Sequence, residues 1–301
     1  MTEYFALNDG RFIPTQGLGT HKVDENGTSM QTIVERALEA GYRMFDTAAG
    51  YCNEDRLGFA LANACIDRRD LYLVTKLDDS EHSGKQAERS IERSLERLQT
   101  DYIDLFLIHA PNSPRLCASA AELGHPHPEN AWRDLNAEAW EVMERYHRQG
   151  VLKSIGVSNF RVHHLQKLLQ TARIVPAVNQ IKTCPGSLGA NHSLERYCRN
   201  HQIRLMGYSP FGHGLVLKRP EILTIAEMYR RTPAQVLLRY LYECGIVSVA
   251  RTSSLSHMLE NRDIDKFTLR DEDKTVLENM RLNDRWAMIR DPDTGTRYNK
   301  E

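Results

Sequence analysis

The chain of 301 residues is 41% hydrophobic and 26% charged, with a formal net charge of −1. This length suits one large α/β domain or two modest ones, and the near-neutral charge excludes a general attraction to nucleic acid or anionic membrane. No apolar stretch approaches the roughly 20 residues of a bilayer span, and the first residues lack a secretory pattern. Six cysteines at irregular spacings, without a CxxC pair, predict free thiols and a cytoplasmic protein.

The first 20 residues predict a hairpin followed by a strand. Residues 4–13 alternate loosely around residues 8–10 (Asn-Asp-Gly), which is a strong signal for a turn between two strands. A short apolar run then reaches residues 17–20 (Gly-Leu-Gly-Thr). The glycines there either let a ligand approach the backbone closely or form a plain tight turn.

The rest of the chain alternates helical and strand patterns. Capping boxes at residues 28–31 (Thr-Ser-Met-Gln) and 232–235 (Thr-Pro-Ala-Gln) predict two helix starts. Strands are predicted at 43–46, 70–76, 101–109, 153–157, 176–180, 203–207 and 246–250. Further helices are predicted at 53–65, 84–98, 131–149, 161–171, 192–200, 255–261 and 271–281. Residues 110–130 contain four prolines and no periodicity, so a long loop is predicted there.

About eight strands alternate with helices, without a composition break that would mark a linker. Such alternation predicts parallel strands joined by crossover helices. Both a doubly wound sheet and a closed (β/α)8 TIM barrel fit the pattern. Because no GxGxxG motif opens a helix after the first strand, we favour the α/β barrel, as a single domain over residues 1–301. The hairpin would plug its amino-terminal end, and additional helices and a loop would follow at the C-terminus.

Polar residues fall at the carboxyl ends of the predicted strands. They are Asp46, Lys76, His109, Asn159, Gln180, Tyr208 and Arg251. Each has an ordinary structural explanation, for example Asp46 as a helix cap and His109 as a core histidine. In a barrel, however, these strand ends converge on one face, where the active site lies. Seven such residues together predict a functional site.

Several motifs resemble the successive signatures of the aldo-keto reductases. They are FDTAAGYCNE, VTK, LFLIH, IGVSNF, the pair Asn179-Gln180, GYSP and the stretch 248–261. The resemblance runs from about Gly17 to Trp286 in the order and spacing of that family. It implies a (β/α)8 barrel that reduces aldehydes or ketones to alcohols with a nicotinamide cofactor and without a metal.

By this resemblance Asp46, Tyr51, Lys76 and His109 form a catalytic tetrad. Hydride addition to a carbonyl produces an alkoxide that needs a proton, and Tyr51 is placed to act as the general acid. A phenol with a pKa near 10 is a poor acid at neutral pH, so we expect the Lys76 ammonium to lower the pKa of Tyr51. Asp46 would keep Lys76 charged, and His109 would orient the carbonyl oxygen.

The resemblance also implies positions that bind the cofactor. Ser158, Asn159 and Gln180, together with Asp46, match residues around the nicotinamide carboxamide, and Tyr208 matches the ring that stacks on it. The positions that match phosphate, ribose and adenine contacts are Gly19, Thr20, Ser209, Phe211, Arg251, Thr252, His257, Glu260 and Asn261. Arg251 keeps the positive charge that grips a 2′-phosphate, so NADP (as NADPH) is predicted, with NAD as the other possibility. His257 replaces an arginine, which weakens the grip because imidazole is mostly neutral near pH 7.

Other departures from the family concern the substrate pocket. His21 and Ala110 stand where aromatic residues often form its walls, so we expect a roomy, polar pocket that also involves Tyr51, His109 and Trp286. Residues 125–127 (His-Pro-His) resemble a metal motif but lie in the predicted loop, so no metal site is expected.

Three classes of function remain open from the sequence. The first is an NADPH-dependent carbonyl reductase acting on a small-molecule carbonyl substrate, as a monomer or weak homo-oligomer without nucleic-acid or membrane partners. The second is a cofactor-sensing regulatory subunit with slow or no physiological turnover. The third is a metal-dependent hydrolase, for which only His109 and Asp46 lie at suitable strand ends.

Overall fold

In the computed structural model, which describes residues 3–187 and 191–280 and the backbone of 289–290 and 297–298, the chain forms a closed barrel. Within these residues the barrel has eight parallel strands in the order β10-β3-β4-β5-β6-β7-β8-β9. The barrel strands are β3 (Gln16–Gly19), β4 (Met44–Asp46), β5 (Tyr72–Leu77), β6 (Ile103–Ile108), β7 (Leu152–Ser158), β8 (Val178–Lys182), β9 (Arg204–Tyr208) and β10 (Val247–Ala250). The predicted (β/α)8 barrel is therefore confirmed, and the doubly wound sheet is excluded.

Helices surround the barrel and connect its strands. They are α1 (Met30–Glu39), α2 (Glu54–Ala62), α3 (Gly84–Leu98), α4 (Pro114–Glu122), α5 (Trp132–Arg148), α6 (Val162–Leu168), α7 (His192–Asn200), α8 (Pro220–Tyr229), α9 (Pro233–Glu243), α10 (Leu255–Arg262) and α11 (Asp271–Asn279). None of these described helices is long and apolar enough to cross a membrane. Beyond them, β11 (Ile289–Arg290) and β12 (Arg297–Tyr298) pair in antiparallel fashion.

The N-terminal hairpin packs against the interior of the barrel. Strands β1 (Tyr4–Ala6) and β2 (Phe12–Pro14) pair in antiparallel fashion. Ile13 of β2 is fully buried and belongs to one apolar cluster with Val74 and Leu105, which lie on barrel strands. Because successive side chains of a strand point to opposite faces, this cluster fills the barrel, and the alternate residues pack against the helices. The hairpin therefore plugs the barrel, as the turn signal at residues 8–10 predicted.

Three local predictions were wrong. Helix α1 has Ser29 rather than Thr28 as its N-cap, and the Ser29 side chain accepts a hydrogen bond from the amide of Thr32. The predicted loop 110–130 contains α4, whose Leu116 and Ala120 form a small apolar cluster with Ala131, Trp132 and Leu135 at the start of α5. Helix α8 was missed, although Pro220 stands at its first turn, where proline is favoured.

Gly58 lets helices α2 and α3 cross closely. A Cβ atom at Gly58 would lie 2.6 Å from Cα of Leu98 and would collide with the carbonyl oxygen of Arg97. We expect Gly58→Ala to lower the free energy of unfolding by about 1–3 kcal/mol, because the backbone must shift, although alanine is the better helix former. Urea unfolding followed by circular dichroism measures this. Gly84→Ala is the control, because its Cβ would approach Val142 Cγ2 only to 3.8 Å. Equal stability of the two variants would contradict the argument.

Candidate active site

The carboxyl ends of the barrel strands surround a cavity of about 740 Å³. Twelve of the residues predicted from the sequence contribute to its lining: Gly19, His21, Asp46, Tyr51, His109, Ser158, Asn159, Gln180, Tyr208, Ser209, Phe211 and Arg251. The lining also includes Gly50, Asp79, Arg115, Pro210, His213, Gly214 and Val249, which the sequence analysis did not predict. The strand ends therefore meet at one site, as expected for this fold.

A buried ion pair lies at the base of this cavity. Lys76 is fully buried on β5, and its Nζ donates to Asp46 Oδ1 at 2.8 Å and to the carbonyl oxygen of Thr47 at 2.7 Å. Gln180 Nε2 donates to the other carboxylate oxygen of Asp46 at 2.6 Å. Burial lowers the pKa of Lys76, and Asp46 opposes that shift. The Asp46 carboxylate thus holds a cation in the interior, where an unpaired charge would be very costly.

Tyr51 lies directly above this ion pair. It ends a short 3-10 helix, Ala49–Tyr51, that follows β4, and Lys76 Nζ lies 5.0 Å from the centroid of its ring. Burial raises the pKa of Tyr51 well above its usual value, and the charges of Asp46 and Asp79 raise it further. The sequence predicted a lowering by Lys76. The direction is reversed because burial of the ring, the largest cause, disfavours the charged phenolate, and the two carboxylates add to that shift.

His109 stands beside Tyr51 at the end of β6. The two ring centroids are 5.6 Å apart, and the rings meet edge to face at 76°. Burial and the positive charge of Lys76 lower the pKa of His109 to about 3. The imidazole is therefore neutral near pH 7, and one of its two ring nitrogens can donate a hydrogen bond. His21 lies on the other side of Tyr51, with 4.6 Å between the ring centroids.

A second hydrogen-bonded group lies at the ends of β6, β7 and β9. Asn159, which has a positive φ of 62°, donates from Nδ2 to the carbonyl oxygen of His109 at 2.9 Å and to Ser158 Oγ at 3.0 Å. The Tyr208 hydroxyl donates to Asn159 Oδ1 at 2.8 Å. These hydrogen bonds hold the Asn159 amide and the Tyr208 ring side by side at the cavity wall.

The remaining predicted residues lie outside the cavity lining of the described chain. Thr20 is buried and donates from its hydroxyl to the carbonyl oxygen of Asp46, so it joins β3 to β4. Ala110 is half-buried and does not line the cavity. Thr252, His257, Glu260 and Asn261 lie on or just before α10. Trp286 falls outside the described residues.

Asp79 and Arg115 were missed for different reasons. Asp79 follows β5 by two residues, and the strand pattern was taken to end at Lys76. Arg115 lies on α4, where the sequence predicted a loop without a defined geometry. Among residues 3–187 and 191–280, no group of three or more His, Cys, Asp or Glu side chains is placed to hold a metal ion.

Residues 15–281 match the model of the family described as "Aldo/keto reductase family". The chain belongs to this family. That membership makes the protein an NAD(P)H-dependent oxidoreductase by class, as the motifs predicted.

Individual relatives of this aldo/keto reductase agree with the family match. The glyoxal reductase of Bacillus subtilis (strain 168) is 33% identical over 279 residues, which cover 93% of each chain. The methylglyoxal reductase DkgA of Escherichia coli (strain K12) is 35% identical over 265 residues, covering 87% of this chain and 88% of that protein. The Bombyx mori aldo-keto reductase solved in complex with NADP has a TM-score of 0.79 and 31% identity, covering 92% of each chain.

Proposed function

We propose that this aldo/keto reductase reduces an aldehyde or ketone to an alcohol by hydride transfer from NADPH, with Tyr51 as the proton donor. The observation that carries the proposal is the buried Lys76–Asp46 ion pair beneath Tyr51, with His109 alongside in the same cavity. The solved relative in complex with NADP and the relatives named for glyoxal and methylglyoxal reduction support it.

The side chains of the cavity fit a nicotinamide dinucleotide. Amide and hydroxyl groups of Asn159, Gln180 and Ser158 suit the carboxamide, and the Tyr208 ring offers a face for a planar heterocycle. The exposed guanidinium of Arg251 at one end of the cavity suits a phosphate. When bound, NADPH supplies a hydride to the carbonyl carbon and becomes NADP⁺.

Tyr51 completes the reduction by protonating the substrate oxygen. As the hydride adds to the carbonyl carbon, the electron pair of the C=O π bond moves to oxygen, which takes the proton from the Tyr51 hydroxyl. An alkoxide is a stronger base than a phenolate, so even a tyrosine with a raised pKa is a competent donor. Lys76, 5.0 Å from the ring, then stabilises the phenolate until solvent returns a proton.

His109 would hold the carbonyl oxygen in place. Its pKa of about 3 keeps the ring neutral, so it donates a hydrogen bond without competing with Tyr51 as a proton source. A positioned donor of this kind contributes about 3 kcal/mol to the transition state.

The proposal also covers the organisation of the chain. We infer one domain over residues 1–301 that acts in the cytoplasm on a small carbonyl compound, as a monomer or weak homo-oligomer. In this proposal Trp286 contacts the substrate and Ala110 belongs to the substrate pocket. The contacts with the adenosine half of the cofactor are Thr252, His257, Glu260 and Asn261.

A turnover screen tests the proposed function. The purified protein is mixed with NADPH and with aldehydes, ketones, sugars, glyoxal or methylglyoxal, while the NADPH absorbance is followed. We expect loss of absorbance with several of these carbonyl compounds. Tight NADPH binding without turnover of any of them would favour the cofactor-sensing subunit instead.

Arg251 should decide the choice between NADPH and NADH. We expect Arg251→Ala to raise the Kd for NADPH by about 10- to 100-fold and to leave the Kd for NADH nearly unchanged, because only NADPH carries the 2′-phosphate. Fluorescence titration measures both constants. Arg115→Ala, which removes a cation from another wall of the cavity, is the control and should leave the Kd for NADPH unchanged. Equal Kd values for the two cofactors that Arg251→Ala does not alter would refute the assignment.

A further inference from the structure

Asp79 places a carboxylate in the cavity close to the reacting groups. It follows β5 by two residues and lines the cavity, with 28% of its side chain exposed. Its Oδ1 is buried and accepts no hydrogen bond from the described part of the chain. A carboxylate with an oxygen that lacks a donor is costly, which makes the exposed part of this carboxylate a candidate to bind a donor group of the substrate.

Charged and titratable side chains from several neighbouring elements lie close to Asp79. His109 Nδ1, on β6, lies 3.6 Å from Asp79 Oδ1. Besides burial and Asp46, the Asp79 charge also raises the pKa of Tyr51, so the field of this carboxylate reaches the Tyr51 hydroxyl. Lys76 of β5 and Arg115 of α4 act in the opposite direction on Asp79, but burial and the neighbouring Asp78 dominate and raise the pKa of Asp79 to about 6.

The adjacent carboxylate, Asp78, is already fully engaged. It accepts hydrogen bonds from the amide and hydroxyl of Ser80, at 3.0 and 2.6 Å. Arg115 binds both of its oxygens, at 2.8 and 3.1 Å. The charge of Arg115 is therefore neutralised by Asp78, and the Asp79 carboxylate remains the negative group that a substrate contacts.

We propose that Asp79 is a specificity-determining residue that favours carbonyl compounds with a hydroxyl group on the neighbouring carbon and rejects those with a carboxylate there. This inference rests on the carbonyl reduction proposed above. A hydroxyl next to the carbonyl can donate to the exposed part of the Asp79 carboxylate in the cavity while the carbonyl oxygen stays near Tyr51 and His109. A carboxylate at the same position would instead face a like charge in a partly desolvated site.

Three small aldehydes separate these effects, because they differ only in the group attached to the CHO carbon. Glycolaldehyde carries a hydroxymethyl group, propanal an ethyl group and glyoxylate a carboxylate. We expect kcat/KM with NADPH to fall in the order glycolaldehyde, propanal, glyoxylate. Asp79→Asn keeps the size of the side chain and removes its charge. It should lower the glycolaldehyde-to-glyoxylate ratio of kcat/KM by about tenfold or more.

Glu81→Gln is the control, since it makes the same carboxylate-to-amide change two residues away at a side chain that pairs with Arg93 and does not line the cavity. It should leave the glycolaldehyde-to-glyoxylate ratio within about twofold of wild type. Because ratios are compared at one pH, the hydration of each aldehyde in solution cancels. Asp79→Asn with an unchanged ratio, or with an equal loss on all three aldehydes, would overturn the proposal.

The wild-type protein gives a second readout that needs no folded variant. Between about pH 7.5 and about pH 5 the Asp79 carboxylate gains its proton while glyoxylate stays ionised, so the glyoxylate-to-propanal ratio should rise several-fold. Burial and the charges of Arg251 and Lys22 lower the pKa of His21, so this imidazole gains its proton at a lower pH than an ordinary histidine. A flat ratio would count against Asp79. Absence of turnover with all three aldehydes and with the wider screen would instead refute the proposed function.

Discussion

Tyr51→Phe is expected to lower kcat for carbonyl reduction by about a thousandfold or more and to leave the Kd for NADPH within about twofold. The substitution removes only the hydroxyl group. The ring keeps its contacts with His109 and His21, at centroid distances of 5.6 and 4.6 Å. Single-turnover measurements of NADPH oxidation, together with a cofactor titration, separate the loss of the proton donor from any loss of binding.

Tyr208→Phe is the matched control, because it also removes a phenol hydroxyl from the same cavity. That hydroxyl donates to Asn159 Oδ1 at 2.8 Å, so its hydrogen is already bound to the chain. We expect kcat to fall by no more than about tenfold, with the Kd for NADPH changed as much as kcat. A Tyr51→Phe protein with wild-type kcat would remove Tyr51 from the reaction.

Lys76→Met should destabilise the protein and abolish reduction together. Methionine fills a similar volume but leaves the buried Asp46 carboxylate with only Gln180 as a side-chain donor among the described residues. Removing one partner of a buried ion pair costs about 3–5 kcal/mol. Urea unfolding measures this loss, and kcat is measured on the folded fraction at low temperature.

The double variant Lys76→Met with Asp46→Asn distinguishes folding from chemistry. Without a buried unpaired charge, most of the lost stability should return, because an isosteric neutral pair in place of a buried ion pair is often nearly neutral. The kcat should stay as low as in Lys76→Met, since the cation that stabilises the Tyr51 phenolate is still missing. Recovery of activity together with stability would show that Lys76 is structural only.

The polar residues at the strand ends were predictable because the barrel itself brings them together. An apolar run that stops at Asp46, Lys76 or His109 marks the carboxyl end of a strand, and a closed parallel barrel admits one place where all such ends meet. The pairing of Lys76 with Asp46 follows from their positions on neighbouring strands β4 and β5. The reversed pKa shift of Tyr51 could not be predicted, because it depends first on how deeply the folded chain buries the ring and then on the nearby carboxylates, Asp79 among them.

The missed features depend on contacts between distant segments. Helix α4 buries few large side chains of its own, and its cluster is completed by Trp132 and Leu135 of α5, so local periodicity carried little signal. Asp78 and Asp79 are alike in the sequence. They differ because Ser80 and, from α4, Arg115 bind Asp78 and not Asp79. A pattern confined to residues 76–80 cannot contain the contact with Arg115.

The small apolar cluster under α4 packs separately from the barrel core, so substrate choice and barrel stability can change independently. Leu116, Ala120 and Trp132 pack with one another instead of within the main core of the barrel, yet α4 carries Arg115 to the cavity wall. Residues of α4 can be exchanged, and the segment can be lengthened or shortened, while the strands that hold the Lys76–Asp46 pair keep their packing. Related chains can therefore come to accept different carbonyl compounds through changes in α4 alone, while the packing of the barrel stays the same.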